Sequence, residues 1–276
     1  MAASIDSLSG KTVKELREYF FVLNHSATEG MLDALERDPR IGVRHLASLL
    51  RKHKLAIQKE SQRLNHLLLY ESELWNQGFH LIAGVDEAGM APLAGPVVAA
   101  AVILPHRYVL AGLDDSKKIL DAHKREKLAA QIKQDAVCWS AGRADVEEID
   151  SINIYHSGLL AMRRAVEGLR NPPEYMLVDA RTIPHCPYPQ KGIIHGDALS
   201  MSIAAASIIA KTTRDAHMKE MDRLYPGYGF ASHKGYPTPD HLRILKERGA
   251  IPIHRRSFGP VREVLAMHST QGELFP

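Results

Sequence analysis

The feature that most constrains this chain is a long apolar stretch, LIAGVDEAGMAPLAGPVVAAAVIL (residues 81–104), whose only charged residues are Asp86 and Glu87. Burying a carboxylate is strongly unfavourable unless it is paired or protonated. Two adjacent buried acids therefore need compensation, and a bound cation is the best candidate. The stretch is long enough to cross a membrane, but the two acids and the PLAGP break at 92–96 argue against a transmembrane helix.

The composition is that of an ordinary globular protein. The 276 residues are 45% hydrophobic and 24% charged, which fits one large domain or one domain with a smaller appendage. The net charge of +3 permits nucleic-acid binding without indicating it. The first twelve residues lack a basic region followed by an apolar run. We therefore expect a cytoplasmic monomer with no membrane contact.

The cysteines and histidines suggest neither disulfides nor zinc. Cys138 and Cys186 have no disulfide or metal-site spacing, as is usual in a reducing compartment. None of the 15 histidines is spaced with these cysteines as in a zinc site. We expect His233, His241 and His254 to be loop or surface residues rather than ligands.

Residues 1–78 have a helical pattern and are predicted to form an N-terminal extension. TVKE (12–15) is a capping box, and apolar residues follow it at helical spacing. A second helix start follows Asp38-Pro39. The charges of this second helix are mostly basic, so its face either lies near a phosphate backbone or is simply solvated.

The pattern changes from helical to extended near residue 80. A helix-free strand pair, 80–88 and 95–104, is followed by strands that alternate with helices. This order predicts an α/β fold with a mixed sheet flanked by helices over residues 79–264, and residues 265–276 are predicted to be a flexible tail. The other strand candidates are 136–144, 174–180 and 191–197, and the helix candidates are 122–134, 153–169 and 200–225.

Acidic residues end or follow three of the predicted strands. Asp86 and Glu87 follow LIAGV, Asp179 follows YMLV, and Asp197 lies in IIHGDALS. Considered alone, Asp197 could instead cap the helix that begins near Leu199. Three such sites in one sheet favour a metal centre, because Mg²⁺ takes carboxylate oxygens together with substrate phosphates. The sequence gives no evidence that these acids converge.

Six segments follow one another in chain order over residues 80–262: GVDEAGMAPLAGPVVAAAVIL, DDSKKI, INIY, YMLVDA, GDALSMSIAAASIIAKTTRD and YGFASHKGYPTPDHLRILKERGAIPIHRRSF. Together they resemble bacterial ribonuclease HII. The helices before them resemble the extension of Bacillus-like members, and the PLAGPVV run favours type HII over type HIII. The resemblance implies a ribonuclease H-like fold and a Mn²⁺- or Mg²⁺-dependent endonuclease. Such an enzyme cuts 5′ to ribonucleotides in RNA/DNA hybrids or in duplex DNA, leaving a 3′-hydroxyl and a 5′-phosphate.

The resemblance also implies roles for individual acids. Asp86, Glu87, Asp179 and Asp197 fall on the metal-binding and catalytic carboxylates of the family. Two bound ions would then hold the attacking and leaving oxygens of a phosphodiester. The alternative is a catalytically weak module that binds nucleic acid or a clamp, but such a module has little need for four acids.

Four further residues are implied as substrate contacts. Lys117 and Asn153 fall where the family contacts backbone phosphates, which position a duplex without reading its sequence. Tyr236 falls on the tyrosine that stacks on the sugar at the RNA–DNA junction. Lys211 either reaches a phosphate or pairs with an acid. The alternatives are a solvated lysine for Lys117 and a packed loop tyrosine for Tyr236.

One short segment departs from the family pattern. Gly89-Met90-Ala91 stands where ribonucleases HII usually have Gly-Arg-Gly, a loop whose backbone reads the ribose 2′-hydroxyl. Ala91 adds a Cβ where glycine allows close approach, and Met90 removes a cation with its donors. The sequence predicts retained hydrolysis with weaker discrimination for a single ribonucleotide, unless Ala91 keeps the same backbone path.

The C-terminus carries a possible partner motif. Gln271, Leu274 and Phe275 form Q-x-x-L-F, which resembles the peptide by which bacterial replication and repair proteins bind the sliding clamp. Apolar anchors on a flexible polar segment suit a groove on a partner. The alternative is a tail that folds back onto the body.

Overall fold

The computed structural model describes residue 8, residues 10–116 and residues 119–272, with side chains described up to residue 267. The chain divides into two compact units, Met1–Arg63 and Leu64–Pro276. Within the described ranges, no helix combines the length and the apolar character needed to cross a membrane.

The first unit is helical, as predicted. It contains α1 (Val13–Arg17), which continues as a π-helical turn, then α2 (Glu29–Glu36) and most of α3 (Ile41–Leu67). The capping box of α1 is confirmed, because Thr12 accepts from the Glu15 N–H and the Glu15 carboxylate accepts from the Thr12 N–H. Its core consists of apolar side chains from all three helices: Leu16, Phe20, Leu32, Leu35, Val43 and Leu46.

Part of the basic face of α3 is neutralised within this unit. The Arg51 guanidinium contacts Asp33 at 2.7 Å and Glu29 at 3.2 Å, and Lys54 also pairs with Glu29. Exposed pairs of this kind contribute little to stability. They nevertheless favour a solvated, ion-paired face over a phosphate-binding one at these two positions.

The second unit is built on a five-stranded mixed sheet of β1 (Ile82–Ala88), β2 (Val97–Ile103), β3 (Cys138–Ala144), β4 (Tyr175–Asp179) and β5 (Gln190–Ile193). The order of the strands in the sheet is β3-β2-β1-β4-β5. β3, β2 and β1 are antiparallel neighbours, whereas β1, β4 and β5 run parallel. This confirms the predicted sheet and its initial helix-free pair. The helices are α4 (Leu69–Asn76), α5 (Ala122–Asp135), α6 (Val146–Glu167), a 3₁₀ turn (Gly196–Ala198), α7 (Met201–Leu224), α8 (Phe230–His233), α9 (Pro239–Arg248) and α10 (Gly259–Gly272).

Helices cover both faces of the sheet, which explains its continuous apolar strands. All seven residues of β2 are buried, with α6 packed on one face and α5 and α7 on the other. The helix α7 approaches β1 so closely that a Cβ at Gly84 would lie 2.0 Å from the Ser202 carbonyl carbon. Only glycine fits there. The close approach brings α7 alongside the acidic end of β1.

The helix α6 begins earlier than predicted and is broken at Asn153. This residue has φ 67°, outside the helical range. Its side-chain oxygen accepts from the N–H groups of Tyr155 (3.0 Å) and His156 (3.2 Å). Asn153 thus caps the second half of the helix, and asparagine is among the residues that tolerate positive φ best.

The sequence predicts that the N-terminal extension ends at residue 78, whereas the first compact unit of the structure ends at Arg63. Leu64 and Leu67 pack in the apolar cluster that includes α5 and α7. Glu71, which is 3% exposed, accepts from the Ser200 hydroxyl (2.6 Å) and from the Ser202 N–H (2.9 Å) at the start of α7. These contacts make the last part of the predicted extension belong to the second unit.

The helix α10 extends through residues 265–272 of the predicted tail, and Leu265 packs against the buried cluster that contains Leu93, Val261 and Val264. The flexibility of residues 265–276 stays a prediction. One further expectation is corrected. The prediction of loop or surface histidines is wrong for His241, which lies in α9 and is fully buried.

Candidate active site

Two of the predicted acids lie side by side at one edge of the sheet. β1 and β4 are parallel neighbours in which Val85 pairs with Val178. Asp86 and Asp179 each follow one residue later. Because the carboxyl ends of neighbouring parallel strands share an edge, this register brings both carboxylates to the same place.

A main-chain hydrogen bond connects the turn of a third predicted acid, Asp197, to the end of β4. Asp179 accepts from the Gly196 N–H at 2.7 Å, which ties the end of β4 to the 3₁₀ turn that carries Asp197. Asp197 is 4% exposed. The alternative that Asp197 caps α7 is not supported, because Ser200 is the N-cap residue and accepts from the Ile203 N–H.

Burial and neighbouring negative charges dominate the electrostatic environment of Asp86. The side chain is 3% exposed, and its burial, followed by the negative charges of Glu87 and Asp179, raises the pKa of Asp86 well above its usual value. Hydrogen bonds from Ser207 and from the Glu87 N–H oppose this rise. Arg181 approaches Glu87 at 3.4 Å.

The donor set suits a hard divalent cation. All four predicted ligands are carboxylates, which Mg²⁺ and Mn²⁺ prefer over nitrogen or sulfur. A cation would also relieve the repulsion and desolvation that act on Asp86. Over the described part of the chain, however, no three His, Cys, Asp or Glu side chains already form a group able to hold a metal ion. The assignment of the four acids as ligands stays a prediction.

The connection between β1 and β2, residues 89–96 (the β1–β2 loop), is held by two buried arginines that sequence reasoning missed. Arg255 is fully buried and donates to the carbonyl oxygens of Gly89 (2.6 Å), Met90 (3.1 Å) and Gly95 (2.9 Å). Burial lowers the pKa of Arg255. The three carbonyls compensate part of the solvation that the guanidinium loses on burial.

Arg214 binds the other end of the β1–β2 loop. It projects from α7, is fully buried, and donates to the carbonyl oxygens of Pro96, Ala94 and Lys234, each at 3.0 Å. The sequence offers one sign of this role, because Arg214 follows the run of small and apolar residues at the start of α7. Arg255 has a weaker signal, because only the structure distinguishes it from its exposed neighbour Arg256.

Met90 and Ala91 differ in exposure. Met90 is half-buried, and its sulfur would lie 3.1 Å from a Cβ placed on Gly158 of α6. The Arg181 Nη1 would lie 2.8 Å from the same point. The methionine side chain therefore packs inward beside a guanidinium, while Ala91 is exposed.

Of the remaining candidate contacts, Asn153 caps the second half of α6, and Lys211 and Tyr236 line one cavity whose four basic residues outnumber the acids Glu126 and Asp215. Lys211 pairs with Asp215 at 2.8 Å, and its nitrogen lies 5.6 Å from the ring centre of Tyr236, which is 37% exposed. Both residues line a cavity of about 360 Å³ that also contains Arg125, Lys219 and Lys234. Lys117, Leu274, Phe275 and the side chain of Gln271 lie outside the described residues.

Comparison with known proteins identifies the family. The family model for ribonuclease HII matches residues 83–261, and the model for the ribonuclease HII N-terminal domain matches residues 12–75. The chain belongs to the ribonuclease HII family. It is 60% identical to ribonuclease HII of Myxococcus xanthus over 281 residues, covering 100% of this chain and 96% of that protein. It is also 50% identical to ribonuclease HII of Geobacillus kaustophilus over 254 residues, which cover 92% of this chain and 96% of that protein.

A solved structure supports the same fold. The ribonuclease H2 of Pyrococcus horikoshii matches with a TM-score of 0.58 and 26% identity, covering 68% of this chain and 98% of that one. The predicted family and ribonuclease H-like fold are confirmed. Membership in the ribonuclease HII family makes this protein an endoribonuclease that acts on RNA/DNA hybrids.

The close packing around Gly89 gives a test of the β1–β2 loop. Gly89 has φ 97°, and a Cβ there would lie 2.2 Å from the Arg214 Nε. We expect Gly89→Ala to lower the free energy of unfolding by at least about 1–3 kcal/mol, the usual cost of backbone strain alone. Urea-induced unfolding measures this.

The matched control is Gly259→Ala. A Cβ at Gly259 meets no atom within 4 Å, so this variant should change stability by less than about 0.5 kcal/mol. Similar losses in the two variants would contradict the packing described for Gly89.

Proposed function

We propose that this ribonuclease depends on Mg²⁺ or Mn²⁺ and cleaves 5′ to a ribonucleotide in RNA/DNA hybrids or in duplex DNA with embedded ribonucleotides. The products carry a 3′-hydroxyl and a 5′-phosphate. One observation carries the proposal: Asp86 is 3% exposed beside the charges of Glu87 and Asp179, in a chain 60% identical to a ribonuclease HII.

Asp86, Glu87, Asp179 and Asp197 would hold the cation. When bound, divalent ions supply the charge that activates water and stabilises the leaving 3′ oxygen. The protein itself orients the ligands: Ser207 and the Glu87 N–H hold Asp86, and the Gly196 N–H holds Asp179.

The substrate would be read by the backbone of Gly89, Met90 and Ala91. In a trans peptide the N–H points opposite to the preceding carbonyl. Because the Gly89 and Met90 carbonyls bind Arg255, the N–H groups of Met90 and Ala91 point away from it. These donors suit the ribose 2′-hydroxyl, the group that distinguishes RNA from DNA.

Backbone phosphates and the sugar would be bound by the remaining candidates. The basic cavity beside Tyr236 supports a phosphate contact for Lys211, whose pairing with Asp215 is also compatible with a structural role. Lys117 and Asn153 are proposed as phosphate contacts from the family resemblance alone. For Asn153 the helix cap described above is a sufficient structural reason for the residue.

Removing the charge of Asp86 tests the catalytic proposal. In a duplex holding one ribonucleotide, Asp86→Asn should reduce nicking by more than the roughly 10–100-fold typical of losing an outer-shell partner of a metal site. Chelation with EDTA should stop the wild type, and added Mg²⁺ or Mn²⁺ should restore it.

Asp240→Asn is the matched control, since the Asp240 side chain is 83% exposed in α9. It should leave nicking unchanged. Metal-independent nicking, or full activity in Asp86→Asn, would refute the mechanism. A wild type that binds the duplex but does not cut it would support the alternative of a catalytically weak nucleic-acid or clamp-binding module.

The Met90 and Ala91 departures should alter substrate preference. We expect Ala91→Gly with Met90→Arg to increase cleavage at a single ribonucleotide relative to a long hybrid by roughly ten- to hundredfold, the value of one charge-assisted hydrogen bond. The two single variants are also measured, so that the effect of the arginine is separated from that of the glycine. This matters because an arginine at position 90 would lie close to Arg181. Equal cleavage ratios in all four proteins would refute the idea.

We also propose that Gln271, Leu274 and Phe275 bind the sliding clamp, on the strength of the Q-x-x-L-F pattern. Deleting residues 271–276 should abolish binding to the bacterial clamp in surface plasmon resonance while leaving nicking intact. Glu273→Gln, at a variable position of the pattern, should bind normally. Clamp affinity that survives the deletion would end this proposal.

A further inference from the structure

The turn that carries Tyr236 is fixed through its main chain by two histidines. The Gly235 N–H donates to Nδ1 of His233 at 3.1 Å. The Tyr236 carbonyl oxygen accepts from Nδ1 of His241 at 2.9 Å and from the Thr238 N–H at 2.8 Å. The ring of Tyr236 remains 37% exposed, so the protein holds the backbone and presents the side chain.

The hydrogen bonds of His241 and His254 define one direction of donation. The Ile251 N–H donates to Nδ1 of His254 at 3.0 Å, so the proton of this imidazole is on Nε2. That Nε2–H donates to Nε2 of His241 at 3.1 Å. The proton of His241 is then on Nδ1, where it donates to the Tyr236 carbonyl. We call this chain, from Ile251 through both imidazoles to Tyr236, the histidine relay.

Burial keeps both imidazoles in the neutral state that the histidine relay requires. His241 is fully buried and His254 is 1% exposed. Desolvation lowers the pKa of both, that of His254 to about 4. His233 stacks on His241 with ring centres 4.2 Å apart and an interplanar angle of 11°, and the edge-on ring of Phe230 contacts both. The rings therefore have little freedom to turn.

We propose that the histidine relay positions Tyr236 for the substrate, so that His241 and His254 are positioning residues of the reaction. The inference rests on the proposed function of Tyr236 as the sugar contact. The competing explanation is that two satisfied, buried histidines only stabilise the fold. If His241 positions Tyr236, losing its hydrogen bond to the Tyr236 carbonyl should impair catalysis more than losing its hydrogen bond to His254. If the histidines only stabilise the fold, the two losses should have the same effect on catalysis.

Two substitutions of His241 separate these bonds. In His241→Asn the amide nitrogen replaces Nδ1, which keeps the donor to Tyr236 and loses the contact with His254. In His241→Gln the amide reaches the position of Nε2, which keeps an acceptor for His254 and loses the donor to Tyr236. Each variant loses one buried hydrogen bond, so their thermal midpoints should be similar.

The positioning role predicts a difference in KM. His241→Gln should raise KM for a duplex with one ribonucleotide about tenfold over His241→Asn, with little difference in kcat. In a Tyr236→Ala background the two variants should become equal, because the group being positioned is gone. Equal KM values for the two variants in the protein that keeps Tyr236 would overturn the proposal. So would a difference in KM between them that persists when Tyr236 is replaced by alanine.

A measurement without substrate separates this inference from the proposed function. Amide exchange at Thr238, whose N–H shares the Tyr236 carbonyl with His241, should be faster in His241→Gln than in His241→Asn. A wild type that nicks no ribonucleotide-containing duplex would overturn the proposed function, and equal exchange in the two variants would overturn the histidine relay.

His254 provides a second pair if the His241 variants do not fold. His254→Gln keeps a donor to His241 and loses the contact with Ile251, whereas His254→Asn does the opposite. The histidine relay predicts a higher KM for His254→Asn. A higher KM for His254→Gln, or no difference, would count against it.

Discussion

The site depends on hydrogen bonds from buried guanidinium groups to main-chain carbonyls. The β1–β2 loop follows the acidic end of β1, and six of its eight residues are buried, so water has little access to most of its carbonyl groups. Unpaired buried carbonyls are strongly disfavoured. Arg255 and Arg214 satisfy five of them, on Gly89, Met90, Ala94, Gly95 and Pro96. The path of the loop is therefore fixed by groups that come from distant parts of the chain.

The helix α7 connects this loop to the acids and to the basic cavity. Ser207, Lys211 and Arg214 lie at i, i+4 and i+7, which places them on one face of the helix. Ser207 contacts Asp86, Lys211 lines the cavity beside Tyr236, and Arg214 holds the loop. The start of α7 is bound by Glu71, from the segment that matches the N-terminal family model. This segment thus contributes to the anchoring of α7.

The parts of the site that the sequence predicts are those with local signals. The strand pattern of the sequence predicts the five strands. The position of Asp86 and Asp179 at strand ends predicts them as site residues without knowledge of how the strands pair. The roles of Arg214 and Arg255 have only weak local signals and that of His254 has none, because each role depends on a carbonyl or imidazole brought close by tertiary packing. For Asn153 the sequence predicts a substrate contact and misses a structural role. Its side-chain oxygen caps the second half of α6.

The packing of Met90 bears on how ribose could be read without the arginine usual in this loop. The methionine sulfur and the Arg181 guanidinium approach the same point above Gly158, so an arginine at position 90 would share this space with Arg181 or extend away from it. Arg181 in turn contacts Glu87 and stacks on Tyr155. On the proposed function, discrimination then rests on the N–H groups of Met90 and Ala91. Their direction is set by Arg255, since it binds the carbonyl that precedes each of them.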